Sequence, residues 1–112
     1  MLEGTATNIE RYMDLLSARQ KLAASNIANA DTPGYKTKDI DFQQEFMSMV
    51  KGEQPLTINA QGLPEKLDGN NVSVDREARM LAENAMRFNV ASVLLRGEIT
   101  SIKSAITGGS SS

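Results

Sequence analysis

The chain has 112 residues, with 12 Lys and Arg against 14 Asp and Glu, so its formal net charge is -2. It contains no Cys and no His, which excludes a disulfide framework, Cys or His metal sites and a His general base. The slightly acidic balance disfavours nucleic acid binding. Only 4% of the residues are aromatic against 40% hydrophobic, which favours one domain (1–112) of helix-on-helix packing over a deep ligand pocket.

The first predicted element is an amphipathic helix over residues 5–30. This segment lacks Pro and Gly, and its apolar residues recur at gaps of three and four, as one helix face requires. The stripe contains Ile9, Met13, Leu16, Ala23, Ile27 and Ala30. Leu15 and Leu22 widen it and are expected to stay exposed in a single chain.

The end of this helix carries an unusual set of small and polar residues. Ser25 and Ala28 are small enough for another backbone to come close. Asn26 and Asn29 are poor mid-helix residues, but near a helix C-terminus their amides can bond open carbonyls or a neighbouring helix. The sequence therefore predicts a helix end that is held by side-chain amides.

A turn follows, and residues 31–72 are predicted to be turn, short helix and loop. Pro33 and Gly34 suit the two central positions of a type II turn, with Gly supplying the positive φ, and Tyr35 then directs its ring toward the helix. Asp41 is placed to cap a short helix over 42–50. The Gly-, Pro- and Asn-rich residues 52–72 predict a loop with one short strand near Leu56–Ile58.

The last predicted element is a helix over residues 73–107, capped by Ser73 or Asp75 and followed by a flexible tail, 108–112. Its residues follow a three-four alternation that is the requirement for a coiled-coil seam. The positions are Ala78, Leu81, Ala85, Phe88, Ser92, Leu95, Ile99, Ile102 and Ile106.

Together these elements predict a mainly all-α fold. Two long terminal helices pack as an antiparallel or coiled-coil pair, joined by a short helix and an irregular or short-strand connection. The predicted packing and assembly residues are Ile9, Met13, Leu16, Ile27, Leu81, Phe88, Leu95, Ile99 and Ile102. Further apolar positions would remain exposed, which marks an interaction surface; they are Leu15, Leu22, Met86, Val90, Val93 and Leu94.

No constellation in the sequence indicates catalysis, a metal or a cofactor. The pairs Asp39 with Asp41 and Asp75 with Glu77 are interpreted as turn and cap chemistry, since no cleft is predicted around them. The N-terminus lacks the pattern of a secretory signal peptide, and no apolar run is long enough to span a membrane. The chain is therefore expected to be neither an enzyme nor a membrane-inserted protein.

Two strings in the sequence resemble a known family, the flagellar rod, hook and axial proteins. The matching N-terminal residues are Ser25, Asn26, Ala28, Asn29, Thr32, Pro33, Gly34 and Tyr35. The continuation over 38–42 narrows the resemblance to proximal rod subunits. A second, downstream match covers 67–72, 74–77, 83–85 and Phe88.

The resemblance implies a structural subunit of the basal-body rod, in the proximal part of the drive shaft that transmits torque to the hook and filament. It implies export by the flagellar type III apparatus without a cleaved signal peptide. The implied partners are further copies, other rod proteins and the membrane-ring/rod junction proteins, assembled as a helical tube in the periplasm. The helical pattern alone leaves open a soluble cytosolic coiled-coil adaptor or export chaperone.

Overall fold

The structure is a computed structural model that describes residues 2–50 and 56–108, and the side chains of 4–47 and 56–108. It is mainly helical, with two long helices packed on each other, a short helix and a minimal sheet, which confirms the predicted fold class. The elements are α1 (Leu2–Ala28), β1 (Lys38–Asp39), α2 (Phe42–Val50), β2 (Ile58–Asn59) and α3 (Val74–Ile106). The predicted tail after Gly108 and the loop residues 51–55 lie outside the described residues.

The two long helices run antiparallel. The Asn84 amide of α3 donates to the carbonyl of Leu16 on α1 at 3.4 Å, whereas Glu77, earlier in α3, contacts Asn26, later in α1. Helix α3 has 33 residues, which corresponds to about 50 Å at the usual rise per residue. The molecule is accordingly elongated, with principal extents of 67 × 26 × 18 Å.

Both ends of α3 have recognisable capping residues. Ser73 is the N-cap, and its hydroxyl accepts the Arg76 N–H at 3.2 Å. Asp75 and Glu77 lie in the first turn, where the helix dipole favours negative charge. Beyond the last turn, Gly108 has a φ of 77°, which a glycine after a helix adopts without strain.

The inward stripe of α3 differs from the predicted seam. The buried residues of α3 are Glu77, Asn84 and Ala91, spaced seven apart, whereas Ala78 and Ala85 are exposed. The predicted seam was displaced because the periodicity was counted on apolar residues, which leaves out Glu77 and Asn84. The structure buries them since α1 supplies their hydrogen bonds.

The core of α1 is covered from two sides. Leu16 and Ala23 are buried, and so is Leu15, which was wrongly expected to be exposed. Tyr12, one helical turn before Leu15, packs edge-on against Phe42 and Phe46 of α2, with ring centroids 5.4 and 6.2 Å apart. Leu15 is therefore buried because α2 covers the side of α1 that α3 leaves open.

A two-residue strand pair completes the fold. Strands β1 and β2 are antiparallel, with Lys38 opposite Asn59 and Asp39 opposite Ile58. The predicted short strand is thus displaced to Ile58–Asn59, and its partner β1 was not predicted. This pair fixes the backbone of Asp39 beside both long helices.

Candidate functional site

The turn that follows α1 has the geometry that its residues predict. The Tyr35 N–H donates to the Thr32 carbonyl at 3.2 Å, and Gly34 has a φ of 74°; both are features of a type II turn. The Gly34 N–H in turn donates to the Asp68 carbonyl at 2.8 Å. The first motif is therefore in direct contact with the second one.

Asn26 is the central residue of this contact. It is 0% exposed, and its amide donates to the Lys38 carbonyl at 2.8 Å and to a Glu77 carboxylate oxygen at 2.6 Å. Its Oδ1 accepts the Tyr35 hydroxyl and the Lys38 N–H, both at 3.0 Å. One side chain therefore joins α1, the chain after the turn and the start of α3.

Asn29 has a local role. Its amide donates to the Ser25 carbonyl at 2.9 Å, and its Oδ1 accepts the Thr32 hydroxyl at 3.0 Å. The helix end is thus closed by a side chain, as the sequence predicts. Ser25, Ala28 and Pro33 are exposed around it.

Asn70 ties the second motif onto this helix end. It is 0% exposed, and its amide donates to the carbonyls of Asn29 and Thr32 at 2.9 and 2.8 Å. Its Oδ1 accepts the Val72 N–H at 2.8 Å. Each of these carbonyls also accepts a backbone N–H, so the Asn70 amide adds a second hydrogen bond to each and fastens the second motif onto the helix end.

Asn71 holds the next stretch of chain. Its Oδ1 accepts the N–H and the hydroxyl of Thr37, at 2.6 and 2.8 Å, and its N–H donates to the Tyr35 carbonyl at 3.2 Å. Thr37 is 0% exposed. The two adjacent asparagines thus bind opposite sides of the turn.

Four charged side chains extend this hydrogen-bond network toward α3. Arg19 and Arg76 both pair with Asp39, at 3.1 and 2.8 Å, and Arg76 also pairs with Glu77, which is 0% exposed. Burial lowers the pKa of Arg76, but the hydrogen bonds and charges of Glu77 and Asp39 outweigh that effect and raise it above its usual value. The four formal charges cancel, so the buried Glu77 is compensated.

These carboxylates serve structure. Asp39 is engaged by two arginines, Glu77 is enclosed, and Asp41 accepts the Gln44 N–H at 3.3 Å at the start of α2. In residues 2–50 and 56–108, no group of three or more acidic side chains is arranged to hold a metal ion.

The buried hydrogen bonds and ion pairs described above share one set of side chains, which we call the polar cluster. Its members are Asn26, Tyr35, Asp39, Asn70, Asn71, Arg76 and Glu77.

The polar cluster was only partly visible in the sequence. Asn26 and Tyr35 stand out in the sequence at a helix end and turn, and Glu77 is interpreted with Asp75 as cap chemistry. Asn70 and Asn71 enter through the downstream match. The available signal was the adjacent pair of asparagines just before a helix cap. The role of this pair depends on contacts with residues up to 41 positions away in the sequence.

The predicted packing residues fall into three groups. Leu16 is buried. Six are partly buried: Ile9, Met13, Ile27, Leu81, Leu95 and Ile102. Phe88 and Ile99 are 40% and 41% exposed in the single chain, although Phe88 lines depressions together with Met13 and Leu16 of α1.

A second surface lies at the opposite end of the helix pair from the polar cluster. It is an apolar groove of about 640 Å³ between α1, α2 and α3. Its lining residues include Ile9, Tyr12, Phe46, Met86, Val90 and Leu94. Met86, Val90 and Leu94 are each more than half exposed, as is the adjacent Val93, which agrees with the expected surplus of apolar surface on α3.

Comparison with known proteins places these features in a family. The model of the family described as "Flagella basal body rod protein" matches residues 13–36, which are the end of α1 and the turn. The flagellar basal body rod proteins FlgB of Salmonella typhimurium and Escherichia coli are 31% and 32% identical, over 89% of this chain and 91% of each relative. FlgB of Bacillus subtilis is 29% identical over 97% of this chain and 98% of its own length.

An elongated helical subunit with a structural role in the flagellar basal body is the class that the fold and these relatives define. The chain belongs to the FlgB family of flagellar basal body rod proteins. It is therefore a component of the rod that serves motility and associates with other parts of the basal body, and the alternative of a soluble adaptor is not supported. None of the helices in residues 2–50 and 56–108 is long and apolar enough to cross a membrane.

Proposed function

We propose that this chain is a proximal rod subunit that transmits torque from the motor to the hook and filament through contacts between its terminal helices and those of its neighbours. The observation that carries the proposal is the apolar face of α3. Met86, Val90, Val93 and Leu94 are 56–70% exposed in the single chain. Such a contiguous apolar face is typical of a surface that is covered by another protein.

The polar cluster and the apolar face of α3 have different roles in the proposed function. The polar cluster joins α1, the turn and α3 by buried hydrogen bonds and ion pairs, so it fixes the shape of each subunit. The apolar face lies further along α3 and provides contacts between subunits. Contacts that use different patches on the two partners do not close on themselves, and they therefore build an open helical assembly.

The proposal includes the route and the neighbours of the chain. It reaches the periplasmic rod through the flagellar type III export apparatus without a cleaved signal peptide, and it contacts other rod proteins and the membrane-ring/rod junction proteins. Mass spectrometry of purified hook-basal bodies tests this part. We expect the chain with an intact N-terminus, and only in cells whose flagellar export works; a shortened N-terminus would contradict the proposed route.

Substitution of the apolar face tests the assembly role. Val90→Asp places a charge in the groove, whereas Asn89→Asp adds the same charge one position away at an exposed site that does not line the groove. We expect Val90→Asp to lose motility and incorporation into basal bodies, because an interface cannot bury an uncompensated charge, while Asn89→Asp retains both. Equal incorporation of the two variants would refute the proposed contact surface.

A further inference from the structure

Methionine supplies all the sulfur of this chain, which has six methionines and no cysteine. The thioether is therefore the group that a peroxide oxidises by transferring one oxygen atom to sulfur. Four methionines have side chains that the structure describes: Met13, Met47, Met80 and Met86. Met13 and Met80 are partly buried, whereas Met47 and Met86 are each more than half exposed. Among these four, Met47 and Met86 are the accessible targets.

The two exposed methionines differ in their surroundings. Met47 lies on α2 and does not line the apolar groove. Met86 lines that groove together with Val90 and Leu94, and it belongs to the apolar face to which the proposed function assigns the contacts between subunits. The same oxidant therefore reaches a position inside the proposed contact surface and one outside the groove.

Oxidation changes the property that the apolar face requires. Hydrogen peroxide transfers one oxygen atom to the Sδ of Met86; the O–O bond breaks, the thioether is oxidised to a sulfoxide, and the peroxide is reduced to water. The sulfoxide is polar, and its oxygen needs a hydrogen-bond donor when it is removed from water. Val90 and Leu94, one and two turns further along α3, offer no side-chain donor.

We propose that Met86 is a peroxide-sensitive modification site: oxidation before assembly excludes a subunit from the rod, and assembly protects the thioether. This inference rests on the proposed function, because it requires that another protein covers the apolar face. Met47 is the internal reference, since it is exposed to the same oxidant in the same chain.

Cells grown with a sublethal dose of hydrogen peroxide test the exclusion. Mass spectrometry measures the sulfoxide fraction at Met86 and at Met47, both in purified hook-basal bodies and in the unassembled chain of the same cells. We expect the ratio of sulfoxide at Met86 to sulfoxide at Met47 to be at least ~10-fold lower in the basal bodies. A tenfold change corresponds to about 1.4 kcal/mol, within the range for burying an unpaired polar group.

Protection is measured by adding hydrogen peroxide to purified hook-basal bodies and to the purified chain. We expect Met86 to stay largely reduced in the basal bodies over the time in which Met86 of the purified chain is converted to the sulfoxide. Both exposed methionines of the purified chain are expected to react faster than Met13 and Met80, which are less accessible.

Substitutions repeat the test without an oxidant. Met86→Gln makes the position polar, whereas Met86→Leu keeps it apolar at a similar volume, and Met47→Gln is the matched polar control. We expect Met86→Gln to lose incorporation into basal bodies, while Met86→Leu and Met47→Gln retain it.

Three results would overturn the inference. Two of them, an equal sulfoxide ratio in the two fractions and equal incorporation of Met86→Gln and Met47→Gln, leave the place of the chain in the rod intact. The third is oxidation of Met86 in basal bodies at the rate of the purified chain, which would show that this thioether stays open in the rod. The absence of the unmodified chain from isolated rods would instead refute the proposed function.

Discussion

Asn26→Ala is the substitution that tests the polar cluster most directly. It removes two donors and one acceptor from a site that is 0% exposed. The groups that lose a partner are the Glu77 carboxylate, the Tyr35 hydroxyl and the N–H and carbonyl of Lys38. Among these groups the Glu77 carboxylate matters most, because Glu77 is as buried as Asn26. In the Asn26→Ala variant, Arg76 is the one described partner that remains for this carboxylate.

The expected loss follows from these four hydrogen bonds. A neutral hydrogen bond contributes about 0.5–1.5 kcal/mol net, and one to a charged group about 1.5–3 kcal/mol. We therefore expect Asn26→Ala to lower the free energy of unfolding by roughly 3–7 kcal/mol, a large share of the 5–15 kcal/mol typical of a domain. Asn29→Ala is the matched control: Asn29 makes local bonds to Ser25 and Thr32, and its loss is expected to be about 1 kcal/mol.

Urea unfolding followed by circular dichroism measures both variants against the unmodified chain. If the reasoning is correct, the unfolding midpoint falls far more for Asn26→Ala than for Asn29→Ala, with an unchanged dependence on urea. A loss for Asn26→Ala within about 1 kcal/mol of the control would mean that water replaces the lost partners, and the cluster would not be the buried anchor described above.

Substitutions at three further positions, Gly34, Leu95 and Arg76, give independent tests. Gly34→Ala is expected to lower the free energy of unfolding by about 1–2 kcal/mol, because the φ of Gly34 is positive. Gly97→Ala, in a helix with open space at its Cβ, is expected to raise it by up to about 1 kcal/mol. Thermal unfolding compares the two variants, and a change of the same sign in both would contradict the turn assigned to Gly34. Leu95→Asp is expected to destabilise the helix pair more than the uncharged Leu95→Asn, because Glu10 and Asp14 line the same depression; similar helicity and melting for the two would argue against this repulsion. Because the pKa of Arg76 is raised, its contribution is complete below its usual pKa and is lost only in strong alkali, so the destabilisation by Arg76→Gln should be equal at about pH 6 and about pH 9; a smaller effect at the higher pH would refute this.

Local chemistry was predictable from the sequence. The turn at Pro33 and Gly34 was predicted because both residues restrict or extend φ in ways that act within four residues. Local rules also limited the cap of α3 to Ser73 or Asp75, of which the structure uses Ser73. The two long helices were predicted because their apolar periodicity extends over many turns.

The partners across the molecule were not predictable. Periodicity counts apolar residues, so it selected Ala78 and Ala85 where the structure buries Glu77 and Asn84. A polar side chain is buried where a hydrogen-bond partner lies opposite it, and that partner belongs to the other helix. Leu15 was misjudged for a similar reason, since α2 covers a side of α1 that a two-helix arrangement leaves open.

The polar residues buried between α1 and α3 also have a mechanical consequence. Purely apolar stripes that repeat every seven residues could slip past each other by one repeat, about 10 Å, and find an equivalent fit. The bond between the side chains of Asn26 and Glu77 is satisfied at one alignment, as single polar positions are in coiled coils. Under the twisting load of the proposed function, we expect such a subunit to resist internal sliding and to pass strain on to its neighbours.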